Sequence, residues 1–388
     1  MIKQYLFTPG PTPIPDEVVA AMSQPIIHHR TPKFSKIFTE VRKGLKDLFG
    51  TKKDVLMLAS SGTGAMEAAV ANLFSPSEKV LVVNGGKFGE RWLRICHSFG
   101  VDPIEVKVEW GKAVKPEVIK KHLQVYPDIQ AILIQASETS TTALHPIREI
   151  SQITRNGPLL IVDGITAVGV LPLPQDEWGI DVLLTGSQKA LMLPPGLGFI
   201  SLSERAWKRT ETAKCSRFYY DLKLEKKSQD KGETAFTPAI SLILGLGAAL
   251  KLIQEEGLER VYVRHERLAR ATRAAATAMG LELLAPENPS PAATGILVPD
   301  GIDGNKFVDY LLGPMGIAFA GGQDHLVGKI IRIAHVGYMG AFDVLVAIGA
   351  LEMALRKFGF VAKLGQGVGA AEEILMEALE QEPVKGKK

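Results

Sequence analysis

The 388-residue chain has few cysteines, little net charge and no long apolar run. Two cysteines, Cys96 and Cys215, are too few for a disulfide framework or an all-cysteine iron–sulfur cluster, and they fit a reducing cytoplasm best. A net charge of +3 argues against nucleic-acid binding. No membrane span or signal peptide is expected. The charged end, Glu382–Lys388, is expected to be a solvated terminus.

Histidine is also sparse, and the sequence gives little sign of a metal site. His28 and His29 are adjacent, so on an extended chain their side chains point to opposite faces. The H-E-x-x-H pattern of zinc enzymes is missing, as are the glycine patterns of nucleotide and dinucleotide sites. We therefore expect no metal, and no nucleotide or dinucleotide bound through these glycine patterns.

Short apolar runs alternate with helical stretches from about residue 50 to about residue 205. Most runs are continuous rather than alternating, as expected for strands that helices cover on both faces. The pattern predicts an α/β fold with a mostly parallel sheet, whose ligands lie at the carboxyl ends of the strands. The predicted strands are Val55–Ala59, Val80–Val83, Ala131–Ile134, Leu159–Val162, Val182–Leu184 and Gly198–Leu202.

The chain is too long for one small core, and we predict three parts. Residues 1–16 are an extended, proline-rich N-terminal segment, residues 17–257 a large α/β domain and residues 258–388 a smaller α+β domain. Gly257 is the predicted joint between the two domains. The charge-rich run Lys223–Lys231 is predicted to be an exposed loop.

A lysine and an aspartate follow two of the predicted strands. Lys189 lies just after the apolar run Asp181–Thr185, and Asp163 directly follows Leu159–Val162. A buried lysine is a good nucleophile and can form a Schiff base with an aldehyde cofactor, while a buried aspartate can keep a pyridine nitrogen protonated. Pyridoxal phosphate needs both groups. The alternatives are a solvated surface lysine and an aspartate that caps a helix.

Other strand ends carry candidates for the rest of such a site. Glycines and free N–H groups in Ser60–Gly64 suit a phosphate, although the turn could be a mere connection. Hydroxyls in Gln135–Thr142 could reach a cofactor or form a polar loop, and Phe88 could stack on a ring or pack in the core. Arg332, a charge within the apolar run Lys329–Gly337, could clamp a substrate carboxylate or face water.

Together these residues resemble the class V, fold-type I pyridoxal-phosphate aminotransferases, and within them the alanine–glyoxylate and serine–pyruvate branch. The resemblance spans nearly the full length of the chain. The Gly-Ser-Gln-Lys block and the upstream Val-Asp are its most specific parts. The motifs that carry it are Thr8–Thr12, His28–Pro32, Ser61–Glu67, Val162–Gly169, Gly186–Leu191 and Arg332–Gly337.

The resemblance implies a role for each candidate residue. Lys189 bears the cofactor, Asp163 pairs with the ring nitrogen, and Arg332, with Gly10, binds the substrate. The other implied cofactor contacts are Gly62, Thr63, Gly64, Phe88, Ser140, Gln188 and Thr237. The family's enzymes are usually homodimers with shared active sites, in which Thr237 would reach the partner's phosphate.

The implied reaction moves an amino group from alanine or serine to glyoxylate or pyruvate by a ping-pong mechanism. Small monocarboxylic substrates are favoured because no second basic residue stands in an obvious position to hold another acid. The chain departs from its relatives at two places. They often have tryptophan where Phe88 stands, and Ser-Thr-Gly where this chain has Ser140-Thr-Thr142.

Three alternatives compete with this function. A phosphoserine aminotransferase and a cysteine desulfurase would share the fold. A desulfurase usually has histidine before the lysine and a reactive cysteine on a mobile loop, whereas here Gln188 precedes Lys189 and Cys215 has no such context. Some relatives are labelled as the small subunit of a soluble hydrogenase, but two cysteines in unrelated positions cannot build the clusters that this chemistry needs.

Overall fold

A seven-stranded sheet forms the centre of the protein, whose computed structural model describes residues 2–379. From one edge to the other, its strands are β2 (Val55–Leu58), β10 (Gly198–Leu202), β9 (Val182–Gly186), β8 (Leu159–Asp163), β5 (Ala131–Gln135), β3 (Lys79–Asn84) and β4 (Asp102–Lys107). Only β10 runs antiparallel to its neighbours, so the sheet is mostly parallel as predicted.

The central strands are continuous apolar runs because helices cover both faces of the sheet. Alternate residues of β2 show this: Val55 and Met57 pack in one hydrophobic core, whereas Leu56 and Leu58 pack in the other. Strand β4 was not predicted. It is an edge strand that contains Pro103, alternates in polarity and is largely accessible to solvent, so it lacks the continuous apolar signature.

Fourteen α-helices accompany the strands in the described part of the chain. They are α1 (Asp16–Met22), α2 (Pro32–Phe49), α3 (Gly62–Leu73), α4 (Lys87–Ser98), α5 (Pro116–Val125), α6 (Ile147–Thr154), α7 (Gln175–Trp178), α8 (Glu204–Arg209), α9 (Leu222–Gln229), α10 (Ile240–Glu256), α11 (Leu258–Ala278), α12 (Gly304–Leu312), α13 (Ala341–Lys357) and α14 (Gln366–Leu379). None of the helices within residues 2–379 is long and apolar enough to cross a membrane.

The predicted loop over Lys223–Lys231 is wrong, because most of this run is helix α9. The Asp221 carboxylate caps the helix by accepting the backbone N–H groups of Lys223 and Leu224. Lys226 pairs with Asp54 and with Asp230, each at 2.9 Å. The cap and these ion pairs stabilise a segment whose charge alone favoured a loop.

The C-terminal part of the chain contains a three-stranded sheet in the order β11 (Ala293–Leu297), β14 (Ile330–Ala334), β13 (Ala320–Gly321). It packs in its own hydrophobic core with side chains of α11, α13 and α14. The predicted terminus Glu382–Lys388 lies outside the described residues.

Two short strand pairs complete the fold: β1 (Tyr5–Leu6) with β12 (Ile317–Ala318), and β6 (Ser137–Glu138) with β7 (Ala143–Leu144). Strand β1 joins the N-terminal segment to the C-terminal part of the chain. The Phe7 carbonyl then accepts the Ala334 N–H at 2.8 Å, next to the end of β14. The extended residues that follow therefore begin close to the strand that carries Arg332.

Candidate active site

Adjacent strand ends bring the two central candidates together. Asp163 is the last residue of β8, and Lys189 follows β9 by three residues. These strands are parallel neighbours, so both ends lie at the same edge of the sheet. The negative charge of Asp163 raises the pKa of the Lys189 amine and so opposes the effect of burial.

Lys189 is a buried amine whose charged form is disfavoured. Burial, and then the positive charge of Arg332, lower its pKa to about 8. Its Nζ donates a hydrogen bond to the Pro9 carbonyl, and its own carbonyl accepts the Thr12 hydroxyl at 3.0 Å. A larger fraction of this amine is neutral near neutral pH than for an ordinary lysine, as a nucleophile and proton acceptor requires.

The extended N-terminal segment lies directly against this lysine. A Cβ atom added to Gly10 would stand 2.5 Å from the Lys189 Nζ, and the backbone φ of Gly10 is +142°. Both facts require glycine here. The sequence predicted Gly10 in the substrate site, and the structure places it beside the Lys189 amine.

Asp163 is buried and has no cation bonded to it in the described residues. Its Oδ1 accepts the Ile165 N–H at 2.8 Å. Burial raises its pKa to about 7, and the negative charge of Glu138 contributes. A protonated ring nitrogen beside this carboxylate would lower the pKa again, since an opposite charge favours the ionised form. The site therefore fits a cofactor that supplies a cation.

The turn before α3 fits an anion. Within residues 2–379, no side chain caps this helix at Ser61, and the N–H groups of Gly62 and Thr63 have no partner there, so the positive end of the helix dipole offers two donors to an anion. A Cβ at Gly62 would come within 2.5 Å of the Ile165 side chain, and one at Gly64 within 2.7 Å of the Ser60 hydroxyl. Both glycines thus allow close packing around the turn.

Gln188 also belongs to this region. Its Oε1 is buried and accepts no hydrogen bond within the described residues. A Cβ atom added to Gly186 would stand 2.9 Å from this oxygen. A Cβ at that glycine would stand 3.1 Å from the Gly62 N. The orphaned amide oxygen beside the glycine turn fits a site completed by a ligand.

Phe88 lies in the first turn of α4 and is half-buried. The guanidinium of Arg91 stands 4.7 Å from the centre of its ring, and Arg91 Nη1 donates to the Thr63 hydroxyl at 2.9 Å. Arg91 therefore connects the aromatic side chain with the glycine turn. Sequence reasoning missed Arg91. Its signal was the spacing of three residues from Phe88, which places both on one face of a helix.

Arg332 is buried in β14, and it is held by backbone carbonyls. Its Nε and Nη2 donate to Gly321 O at 3.1 and 2.7 Å, and its Nη1 donates to Thr139 O at 2.8 Å. A guanidinium has five N–H bonds. Within the described residues, two N–H bonds are thus left for another acceptor. Burial lowers its pKa to about 10, so it stays charged at neutral pH.

The remaining candidates lie in different surroundings. The Ser140 hydroxyl is buried, donates to the Glu138 carboxylate and accepts the Lys87 N–H at 2.9 Å. Thr237 is exposed in the loop before α10, beside Phe236 and Pro238. The structure thus joins Ser140 to the start of α4. It does not bring the exposed Thr237 into the buried group around Lys189.

The arrangement defines a class of protein. The family model of class V aminotransferases matches residues 4–339, so the chain belongs to this family. Enzymes of this family and fold use pyridoxal phosphate as their cofactor. The protein is therefore a pyridoxal-phosphate-dependent aminotransferase. The predicted family, fold and cofactor are confirmed.

Several relatives resemble the chain over nearly its whole length. It is 36% identical to an L-aspartate–glyoxylate aminotransferase of Paracoccus denitrificans, over 95% of each chain. It is also 36% identical to a serine–glyoxylate aminotransferase of Methylorubrum extorquens, over 97% of this chain and 96% of the relative. Among solved structures, a ureidoglycine–glyoxylate aminotransferase of Bacillus subtilis has a TM-score of 0.91 and 29% identity, over 97% of this chain and 99% of the other.

Another relative carries a different name. A protein of Synechococcus sp. called the small subunit of a soluble hydrogenase is 40% identical, over 97% of this chain and 99% of the relative. Cys96 and Cys215 are both buried in the hydrophobic core around α3 and α4. Burial raises the pKa of the Cys96 thiol to about 12, which disfavours the thiolate that binds iron. The aminotransferase assignment explains the chain, whereas the hydrogenase name does not.

Proposed function

We propose that the protein transfers an amino group from alanine or serine to glyoxylate or pyruvate by a ping-pong mechanism. The observation that carries the proposal is the buried guanidinium of Arg332, which keeps two N–H bonds without a partner in the described residues. Arg332 and Arg91 are the cations whose charge lowers the pKa of Lys189. Arg91 donates to Thr63 in the glycine turn that we assign to the phosphate, so we assign Arg332, with its two remaining N–H bonds, to the substrate carboxylate.

In this proposal, the protein would hold the cofactor at three places. Lys189 would hold its aldehyde carbon, Asp163 would pair with its ring nitrogen, and the turn Gly62–Gly64 with Gln188 would bind its phosphate. Phe88 stacks on the ring, and Ser140 lies near it. Pyridoxal phosphate, when bound, carries the amino group between substrates and withdraws electrons from the substrate's α carbon.

The protein's own groups then position the substrate and move its proton. Arg332 holds the α-carboxylate through its two remaining N–H bonds, and Gly10 leaves room beside Lys189. Once the substrate's amine has displaced it from the cofactor, the Lys189 Nζ would take the proton from the substrate's α carbon and deliver it to the carbon that had held the lysine. Its lowered pKa of about 8 suits both directions near neutral pH.

The names of relatives support glyoxylate as an acceptor but differ on the donor. The Paracoccus relative is named for aspartate, and the Methylorubrum relative is named for serine. A solved alanine–glyoxylate aminotransferase of Nostoc sp. resembles this chain at 30% identity, with a TM-score of 0.88 over 92% of this chain and 96% of the other. We favour a small side chain because Arg91, the other cation near Lys189, bonds to the glycine turn that we assign to the phosphate.

We further propose a homodimer that shares its active sites and works in the cytoplasm, with Thr237 reaching the partner's phosphate site. Exposed aromatic side chains next to Thr237 support such an interface. Phe218 is 79% exposed, and Tyr219 stacks on Phe236 with ring centres 4.9 Å apart. The proposed division of the chain remains 1–16, 17–257 and 258–388, with the joint at Gly257 between α10 and α11.

A donor and acceptor panel tests the proposed substrates. We expect alanine and serine to be the best donors, with glyoxylate or pyruvate as acceptor. Each charge-assisted bond contributes about 1.5–3 kcal/mol, so Arg332→Ala should lower kcat/KM about tenfold to a hundredfold per bond lost. Arg332→Lys should retain only part of the wild-type kcat/KM, because an ammonium group cannot form the planar pair of hydrogen bonds that a guanidinium makes.

Arg42→Lys is a matched control for this experiment. Arg42 is also buried, but its guanidinium donates to the Gln229 carbonyl and interacts with Asp54, away from Lys189. Its substitution should leave the ranking of donors unchanged. A wild-type enzyme that prefers aspartate, glutamate or phosphoserine would contradict the proposed substrates. An Arg332→Ala enzyme with unchanged kcat/KM would contradict the clamp.

A further inference from the structure

Glu138 is a fully buried carboxylate that the sequence did not assign to the site. One oxygen, Oε2, accepts the N–H groups of Phe88 at 3.2 Å and Gly89 at 3.0 Å. The other, Oε1, accepts both the N–H and the hydroxyl of Ser140. Burial raises the pKa of Glu138, whereas these hydrogen bonds favour its ionised form.

These contacts cap the start of α4. A helix leaves its first N–H groups without partners in the helix. In α4 the Lys87 N–H donates to the Ser140 hydroxyl, while the next two N–H groups donate to Glu138. A carboxylate is favoured here by the helix dipole. A Cβ at Gly86 would overlap both Ser140 and Glu138, so the chain is tightly packed at this point.

The start of α4 carries Phe88 and Arg91, which connect this helix to the glycine turn. Phe88 and Arg91 are three residues apart and therefore share one face of α4. Arg91 bonds to Thr63 in the glycine turn and lies over the Phe88 ring. The position of the first turn of α4 consequently sets the position of both side chains.

Glu138 also interacts electrostatically with two groups of the site. Its negative charge raises the pKa of Asp163 and that of Arg332. The next residue, Thr139, accepts a hydrogen bond from Arg332 through its carbonyl. The segment from Glu138 to Ser140 thus contacts the start of α4 on one side and the substrate-binding arginine on the other.

We propose that Glu138 is a positioning residue of the cofactor site. It fixes the first turn of α4, so that Phe88 and Arg91 are preorganised for the cofactor, and it balances the buried charge of Arg332. The inference rests on the proposed assignment of Lys189 and Asp163 to pyridoxal phosphate.

The chain offers a matched control in Glu352. This carboxylate is also buried, and it accepts the N–H groups of Gly365 at 2.8 Å and Gly367 at 2.6 Å at the start of α14. Glu352→Gln and Glu138→Gln therefore remove the same kind of anionic helix cap. Only Glu138 adjoins the candidate site.

The test titrates each protein, freed of cofactor, with pyridoxal phosphate. Absorption gives the dissociation constant, and visible circular dichroism reports how the bound cofactor is held. Both variants should melt at a lower temperature than wild type. Only Glu138→Gln should weaken cofactor binding, by about tenfold, a loss of about 1.4 kcal/mol, and change the dichroism. Glu138→Asp, which keeps the charge but is one methylene shorter, should bind with intermediate affinity.

Four outcomes separate the possibilities. Wild-type affinity and dichroism in Glu138→Gln would overturn the inference, as would an equal loss of affinity in Glu352→Gln. If Glu138→Gln does not fold, wild-type affinity in Glu138→Asp would overturn it instead. A wild-type protein that fails to bind pyridoxal phosphate would refute the proposed cofactor residues rather than the role of Glu138.

Discussion

The pKa values of Asp163 and Lys189 are shifted in opposite directions by the same cause. Burial disfavours charge, so it raises the pKa of the carboxyl to about 7 and lowers the pKa of the amine to about 8. Both pKa values therefore lie close to neutral pH, where each group is a mixture of its charged and neutral forms. The sequence predicted the two residues from their places at strand ends. It could not give the Pro9 carbonyl as a partner of Lys189, because that contact depends on the path of the N-terminal segment.

Asp163→Asn should change how stability depends on pH. A carboxyl whose pKa rises from 3.8 to about 7 on folding binds more protons in the folded state between these values. The free energy of unfolding therefore falls as pH rises through this window. Without cofactor, we expect wild-type stability relative to Asp163→Asn to decrease from about pH 4 to pH 7 and then level off. Denaturant unfolding at several pH values measures the difference.

The same variant should lose most of its activity. Asparagine keeps the shape of the side chain but not its charge, so kcat should fall about a hundredfold or more with the fold retained. Cofactor should also flatten the pH dependence of wild-type stability, because a cationic ring nitrogen lowers the pKa of Asp163. A constant stability difference across pH, or a near-normal kcat, would argue against the assigned role.

At the scale of elements, the sequence predicted the buried strands well and the exposed ones poorly. Continuous apolar runs identified β2, β5, β8, β9 and β10, because each is buried along its full length. Strand β4 was missed because an edge strand needs no such run. Helix α9 was missed because its stability comes from a cap and from ion pairs with residues distant in sequence.

The candidate site shows the same distinction. Residues within local motifs, such as Asp163 and Lys189, could be predicted because strand ends of a parallel sheet converge. Arg91 and Glu138 were not recognised because their contacts join separate elements. Arg91 links α4 to the start of α3, and Glu138 links strand β6 to α4. Such contacts depend on how elements pack, which residue spacing alone does not determine.

At the scale of the whole molecule, the exposed aromatic side chains around Thr237 predict association. We expect sedimentation to give a homodimer at working concentrations. Phe218→Glu should weaken both the dimer and cofactor binding, because Thr237 of one subunit is proposed to reach its partner's phosphate site. Phe342→Glu is the control, since Phe342 is 82% exposed at the start of α13. A monomer with full activity would contradict the shared active site.

The central claim is that Lys189 holds pyridoxal phosphate in this protein. Borohydride reduction of the cofactor-loaded enzyme, followed by peptide mapping, tests it most directly. We expect the reduced cofactor on the peptide that contains Lys189, and we expect Lys189→Ala to remain unlabelled while still binding cofactor noncovalently. Labelling of any other lysine in the wild-type protein would contradict the account.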